Sequence, residues 1–134
     1  MLLKKYIADK AIEKIDNNTN NTANSGGGIY MSSKNTVRLN NAKILNNLTK
    51  EGSGGGIYAY GDLTIDGEKS TISNNIAKTW GGGIMVKTKT TINNCVICNN
   101  KAMTESGGGI EVDGGELYLN KSKIYKNWCN KYDS

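Results

Sequence analysis

The chain of 134 residues has a formal net charge of +5, from 17 Lys and Arg residues against 12 Asp and Glu residues. It contains 17 glycines, no histidine and no proline, and 37% of its residues are hydrophobic. The lack of histidine excludes Ser-His-Asp catalysis and most zinc sites. Because the lysines are scattered rather than clustered, the charge indicates a solvated surface and argues against nucleic acid as a partner.

The N-terminal residues carry an apolar side chain at every fourth position: Leu3, Ile7, Ala11 and Ile15. Over residues 1–14 this spacing predicts either a short amphipathic capping helix or a degenerate copy of the repeat that follows. Lys4 and Lys5 are not followed by an apolar stretch. The sequence therefore predicts neither a signal peptide nor a transmembrane segment in this chain.

A Gly-Gly-Gly-Ile tetrad returns at intervals of 28, 27 and 26 residues, in copies that begin at Gly26, Gly54, Gly81 and Gly107. A period of this length is typical of solenoid proteins, in which each repeat packs only on its neighbours. The sequence thus predicts a single repeat domain over residues 15–134.

Three segments of each copy alternate apolar or small residues with polar ones, which predicts three short strands. In the copy that begins at Gly54 these residues are Ile57 and Ala59, Leu63 and Ile65, and Ser70 and Ile72. Stacked copies would pair each strand with its equivalent, parallel and in register. Equivalent inward side chains of successive copies would then stack in a column inside the solenoid, which we call an interior file. One such file is expected to contain Ile44, Ile72, Ile97 and Ile124.

Two kinds of residue mark the predicted corners between strands. Glycine permits a sharp turn and a close approach of successive backbones. Asparagine, which follows the third strand in an Ile-x-x-Asn pattern, can hydrogen-bond to the asparagine above and below. The predicted structural corners are Gly26, Gly54, Gly81, Gly107, Asn47, Asn75, Asn100 and Asn127.

The Gly-Gly-Gly-Ile and Ile-x-x-Asn motifs resemble the GGA[ILV] and FxxN repeats of polymorphic outer membrane proteins and adhesins. More broadly, the chain resembles the right-handed parallel β-helix of pectate-lyase-like proteins. The resemblance covers Ile15 to Asn127. It implies an all-β, single-stranded solenoid of about four full coils, preceded by a partial N-terminal coil or capping helix. It also implies an extracellular or cell-surface location.

The cysteines offer a Cys-x-x-Cys motif, Cys95 to Cys98, and a third thiol at Cys129. Cys95 and Cys129 each fall in a column of small residues that recurs in the other copies. This position favours buried filler side chains over metal binding or redox chemistry. The redox state of the three thiols is left open.

Acidic residues gather in two places, Asp62 with Asp66 and Glu111 with Asp113. The two groups are two copies apart, so they do not form the pair of carboxylates that glycosidases use. Asp113 shares a column with Lys87 of the neighbouring copy, which predicts a cross-strand ion pair. We therefore expect no catalytic residue, metal site or cofactor in this chain.

Tyr30, Tyr58 and Tyr60 point outward from the first strand of adjacent copies and form a candidate platform for a sugar ring or a partner protein. The alternative is an aromatic cross-strand pair that only stabilises the sheet.

The functional hypothesis is a non-catalytic structural or adhesive segment of a surface or secreted protein, with a glycan or a protein as partner. The alternative is a fragment of a polysaccharide lyase or hydrolase, or a carbohydrate-binding module, of the same fold. The repeat is expected to continue beyond one or both ends of this chain.

Overall fold

The computed structural model describes residues 17–32 and 36–130 of the chain. Over these residues the chain is a parallel solenoid of about four turns, built from β-strands without a helix. The capping helix or degenerate copy expected over residues 1–14 lies outside the described residues.

The strands follow one another in the same order in every turn. The partial first turn contains β1 (Asn17–Thr19) and β2 (Thr22–Ala23). The next two turns contain β3 (Ile29–Met31), β4 (Thr36–Asn40), β5 (Lys43–Leu45), β6 (Leu48–Thr49), β7 (Ile57–Ala59), β8 (Asp62–Asp66), β9 (Ser70–Ser73) and β10 (Ile76–Ala77). The last two contain β11 (Ile84–Val86), β12 (Lys89–Asn93), β13 (Cys95–Cys98), β14 (Lys101–Ala102), β15 (Ile110–Val112), β16 (Glu116–Asn120), β17 (Lys123–Tyr125) and β18 (Trp128–Cys129).

Four parallel sheets run along the solenoid, because each strand pairs with its equivalent in the adjacent turn. The sheets have the strand orders β1-β5-β9-β13-β17, β2-β6-β10-β14-β18, β3-β7-β11-β15 and β4-β8-β12-β16. The sequence predicted three strands per turn, and the structure has four. The additional strand is only two residues long, and so short a segment cannot show an alternation that sequence reading would detect.

The core consists of files of inward side chains stacked from turn to turn. Ile44 pairs with Ile72, Ile72 with Ile97, and Ile97 with Ile124, which confirms the predicted interior file. The first three are fully buried, whereas Ile124 in the last turn is 44% exposed. Burying an isoleucine side chain contributes about 1.5–3 kcal/mol, so the file is a main source of stability.

The file ends at the N-terminal side in a polar residue, Asn18, which pairs with Ile44. Its amide group donates to the carbonyl of Gly28 at 3.0 Å and accepts from Nδ2 of Asn21 at 2.8 Å. The Ile-x-x-Asn spacing of Ile15 and Asn18 predicts that Asn18 is one of the corner asparagines, but Asn21 occupies that position. The reading was wrong because the partial turn carries asparagine at both positions.

The corner asparagines form a ladder of amide groups inside the solenoid. In each step, Nδ2 of one asparagine donates to Oδ1 of the next, at 3.1 Å from Asn47 to Asn75 and at 3.0 Å from Asn75 to Asn100 and from Asn100 to Asn127. Nδ2 also donates to a backbone carbonyl of the preceding turn, as Asn75 does to Ile44 at 2.9 Å. Asn47, Asn75 and Asn100 are buried, and their hydrogen bonds offset the cost of removing the amides from water while tying successive turns together.

The left-handed backbone at this corner belongs to the residue before each ladder asparagine. Positive φ angles of 58°, 56°, 56° and 53° occur at Asn46, Asn74, Asn99 and Lys126. The two residues therefore have different roles. The first turns the chain through its left-handed conformation, and the second supplies the amide that joins the turns.

The first two glycines of each triple-glycine run are needed for different structural reasons. The first glycine of each run has a left-handed φ of 58° to 70°, at Gly26, Gly54, Gly81 and Gly107. The second lies against the backbone of the next turn: a Cβ on Gly82 would overlap the carbonyl oxygen of Gly108 and the backbone of Lys101. A side chain at the first position would strain the corner itself, whereas one on Gly82 would force the turns apart.

We predict that Ile72→Asp abolishes stable folding, because it places an unpaired carboxylate at the centre of the file. The free energy of unfolding should fall by more than about 4 kcal/mol. Urea denaturation followed by circular dichroism measures this change. Lys89→Ala, on the exposed face of β12, serves as the control and should stay within about 0.5 kcal/mol of the wild type. Wild-type stability of Ile72→Asp would contradict the inward assignment.

A second prediction concerns Thr90, whose fully buried side chain is stacked between Leu63 and Leu117. Among the described residues, its hydroxyl is the one buried side-chain polar atom without a hydrogen-bond partner. Thr90→Val keeps the shape and removes the unpaired hydroxyl, so the free energy of unfolding should rise by about 1 kcal/mol.

The matched control is Thr49→Val, which should have the opposite sign. The buried Oγ1 of Thr49 donates to the carbonyl of Gly52 at 2.9 Å and accepts from the amide of Lys78 at 3.1 Å. Its loss leaves the amide of Lys78 unpaired, whereas the carbonyl of Gly52 still accepts from the amide of Thr79 at 3.1 Å, and should cost about 1–3 kcal/mol. Thermal denaturation of both variants tests the pair, and a loss of stability in Thr90→Val would contradict the prediction.

Candidate ligand-binding face

The predicted tyrosines lie on the outer face of the β3-β7-β11-β15 sheet. Tyr30 pairs directly with Tyr58, and their rings stack with centroids 5.0 Å apart and planes 11° from parallel. Tyr60 follows β7 and is 41% exposed. One face of each ring in the stacked pair is therefore covered by the other ring, and Tyr60 is the most accessible of the three tyrosines.

The same face continues into a charged edge. Met85 follows Tyr58 in the column of stacked side chains, and Glu111 follows Met85. Beside this column, Lys87 forms the predicted cross-strand ion pair with Asp113. Burial raises the pKa of Tyr58, while the hydrogen bond to Asp113 raises the pKa of Lys87. The edge thus has two carboxylates against one ammonium group.

Sequence reading missed Trp80, which completes this face. Trp80 stands immediately before the glycine corner, in a column otherwise occupied by Ser53 and Ser106, and is 40% exposed. It lines a shallow cavity of about 300 Å³ together with Met85, Glu111, Val112 and Asp113. The sequence feature that could have identified Trp80 is a single tryptophan at a position where the other copies have serine.

We call the surface formed by Tyr30, Tyr58, Tyr60, Trp80 and the cavity beside them the aromatic face. It offers exposed aromatic rings next to carboxylate and ammonium groups. Such a surface can pack on the apolar side of a ligand ring and hydrogen-bond to its polar substituents.

A second cavity, of about 450 Å³, lies on the outer face of the β4-β8-β12-β16 sheet. It is lined by two adjacent polar columns, which contain Arg38, Thr64 and Thr91, and Asn40, Asp66 and Asn93. It brings the single arginine of the chain close to a carboxylate, a juxtaposition that sequence reading did not identify.

The remaining candidate groups lie apart from these cavities. No set of three or more Cys, Asp or Glu side chains within residues 17–32 and 36–130 could hold a metal ion. Cys95 is buried and stacks on Ser70, as expected for a small filler. Cys129 stacks on Ala102 but is exposed, because it belongs to the last turn. The prediction that Cys129 is buried was therefore wrong, although the prediction that it stacks in a column of small residues was correct.

Comparison with protein families identifies the fold. The chain matches the family described as right handed beta helix region over residues 6–132, and it belongs to that family. The solenoid is therefore a right-handed parallel β-helix. Searches of curated proteins and of solved structures gave no significant match. Among the described residues, no helix has the length and apolar character needed to cross a membrane.

We predict a pH dependence of stability from Cys95. Burial raises the pKa of this thiol from 9.0 to about 12, so the folded chain keeps a proton that the unfolded chain releases. The free energy of unfolding should therefore fall as the pH rises from about 9 towards 12, by about 1 kcal/mol per pH unit from this group.

Cys95→Ser isolates that contribution, because serine already occupies the equivalent position at Ser70 and Ser122. Urea denaturation of both proteins across this pH range measures the difference, which should be constant below pH 9 and shrink above it. An equal alkaline loss of stability in both proteins would contradict the prediction.

Proposed function

We propose that this chain is a non-catalytic β-helical segment of a surface or secreted protein, and that it displays the aromatic face to a glycan. The observation that carries the proposal is the stacked pair of Tyr30 and Tyr58, with Tyr60 exposed beside it and Trp80 exposed at the cavity that continues the same column through Met85. Exposed aromatic rings on a rigid sheet bind a flat, partly apolar ring at low conformational cost.

The charges on this face select the class of ligand. Glu111 forms no ion pair with another described residue, and its Oε2 accepts a hydrogen bond from Ser106 at 3.0 Å, while Asp113 is paired with Lys87. The local balance is negative although the whole chain is positive. Neutral sugars, whose hydroxyls donate to carboxylates, therefore fit this face better than acidic glycans.

The geometry favours display over catalysis. Hydrolysis of a glycosidic bond uses two carboxylates on either side of the bond, one of which is protonated. On the aromatic face, one of the two acids is already engaged by Lys87. The repetitive sheet faces instead suit a rigid scaffold, in which the same surface recurs from turn to turn.

A second candidate function is supported by the cavity that Arg38 and Asp66 line on the other sheet. A cation beside a carboxylate could bind and process an acidic polysaccharide, as in the lyases that the sequence resembles. Incubation with acidic polysaccharides, with and without Ca²⁺, tests this function. Cleavage products that disappear in Arg38→Ala would establish it and overturn the non-catalytic proposal.

The binding proposal predicts that Trp80→Ala and Tyr60→Ala each weaken binding of a neutral oligosaccharide about tenfold, since each removes an exposed aromatic contact. A glycan array identifies the oligosaccharide, and isothermal titration calorimetry measures the Kd.

Trp128→Ala is the matched control for this experiment. Trp128 is 46% exposed on β18, where Lys101 lies over its ring at 3.7 Å, and it belongs to a different sheet. Binding should be unchanged in this variant. A wild-type chain that binds no neutral glycan, or an equal loss in Trp128→Ala, would refute the aromatic face as a glycan site.

A further inference from the structure

One corner on the side of the solenoid differs from its equivalent in the next turn. The connection between β8 and β9, residues 67–69, has three residues, whereas Asn94 alone connects β12 to β13. Asp66, Glu68 and Lys69 are exposed, so the added residues lie at the surface. A longer, exposed connection can absorb a change in the length of the main chain that a one-residue corner cannot.

This corner begins with an Asp-Gly dipeptide whose reacting groups are already in contact. The backbone amide of Gly67 donates to Oδ1 of its neighbour Asp66 at 2.8 Å. Because the carbon–oxygen bond is about 1.2 Å long, the nitrogen lies within about 4 Å of Cγ. Gly67 has a left-handed φ of 89° and no side chain to keep the nitrogen from the carboxyl carbon. The amide nitrogen is thus held close to a carbon that it can attack.

Two hydrogen bonds to the backbone carbonyl of Asp66 activate the same peptide group. This oxygen accepts from the amide of Asn41 at 3.1 Å and from Oγ of Ser70 at 2.5 Å. Donors at a carbonyl oxygen stabilise the negative charge that a peptide group carries when its nitrogen loses a proton. The nitrogen of this peptide group belongs to Gly67, so both hydrogen bonds favour its nucleophilic form.

We propose that Asp66-Gly67 is a modification site, at which the folded chain converts Asp66 to isoaspartate through a cyclic succinimide. In the first step a bond forms between the Gly67 nitrogen and Cγ of Asp66, and the bond from Cγ to the carboxyl hydroxyl breaks. The hydroxyl leaves as water with the amide proton. In the second step water opens the ring at the α-carbonyl carbon, and the main chain then runs through Cγ. One water is released and one is consumed, so no cofactor or oxidant is needed.

The hydrogen bonds of the corner can be kept in the product. Opening of the ring leaves an α-carboxylate where the backbone carbonyl of Asp66 stood. The amide of Asn41 and the hydroxyl of Ser70 then donate to a charged acceptor, which forms stronger hydrogen bonds than a neutral one. The main chain gains one carbon within the connection that is already longer than its equivalent in the next turn.

The conversion changes the charge of the cavity of about 450 Å³ on the β4-β8-β12-β16 sheet. Asp66 is the one acidic residue among those that line this cavity, which also contains Arg38. After isomerisation the former side-chain carboxyl is part of the main chain, and the new carboxylate lies at the corner. The guanidinium of Arg38 then faces neutral amides and hydroxyls, so the cavity becomes more cationic. The modification site depends on neither the aromatic face nor catalysis at this cavity.

Incubation of the 134-residue chain at mildly acidic pH, where the departing oxygen leaves as water, tests the proposal. Methylation by a protein isoaspartyl methyltransferase measures isoaspartate, and electron-transfer fragmentation of peptides locates it. Asp113-Gly114 is the internal reference, because it is the same dipeptide but Lys87 holds the Asp113 carboxylate. In the folded chain isoaspartate should form about tenfold faster at Asp66 than at Asp113, whereas in urea the two rates should be equal.

Two variants separate the geometry of the corner from the dipeptide itself, and circular dichroism verifies that both fold. Asp66→Glu should abolish the product at this site, because its longer side chain would have to close a six-membered ring. Ser70→Ala removes one activating hydrogen bond and should slow the reaction at Asp66 about fivefold, but not at Asp113. Alanine already occupies the equivalent position at Ala42.

Two results would overturn the proposal. One is an equal rate at both Asp-Gly dipeptides of the folded chain, which would show that the corner does not activate Asp66. The other is isoaspartate that forms at Asp66 in urea but not in the folded chain, which would show that the fold protects this dipeptide.

Discussion

The structure depends on the in-register stacking of each side chain on its equivalent one turn away. A single turn has too few apolar residues to form a core, and its isoleucines are buried only because the turns above and below cover them. Stability therefore builds up along the solenoid axis, and any residue that keeps two turns apart affects every file at once. At the first three corners the second glycine meets this constraint, since the carbonyl oxygen of the next turn occupies the space of its side chain.

The asparagine ladder and the apolar files hold the turns together in different ways. The apolar files accept different residue types at equivalent positions, as the stacking of Leu63 on Val37 and of Thr90 on Leu63 shows. The ladder is stricter, because the amide of Asn75 satisfies two backbone groups of the preceding turn and also bonds to the next asparagine, and only asparagine has the required length with both a donor and an acceptor. Even Asn18, which ends an apolar file, is accommodated in the interior because its amide hydrogen-bonds to Gly28 and Asn21.

Function on such a scaffold is carried by the outward positions, which the stacking leaves free to vary. Neighbouring turns then place side chains side by side at the spacing of paired strands, about 4.8 Å. This spacing produces the stacked pair of Tyr30 and Tyr58 and the ion pair of Lys87 with Asp113. The sides of the solenoid are therefore suited to the display of side chains.

The sequence by itself determined the winding of the chain, the register of the files and the positions of the glycine and asparagine corners, because each of these recurs four times at a fixed period. Only the tertiary structure decided what occurs once or is too short to show a pattern. It revealed the two-residue fourth strand, which is too short for a period, and the exchange of roles between Asn18 and Asn21. It also placed Trp80 beside Glu111 and exposed Cys129 in the last turn, because contact across corners and burial at an end depend on which turns surround a residue.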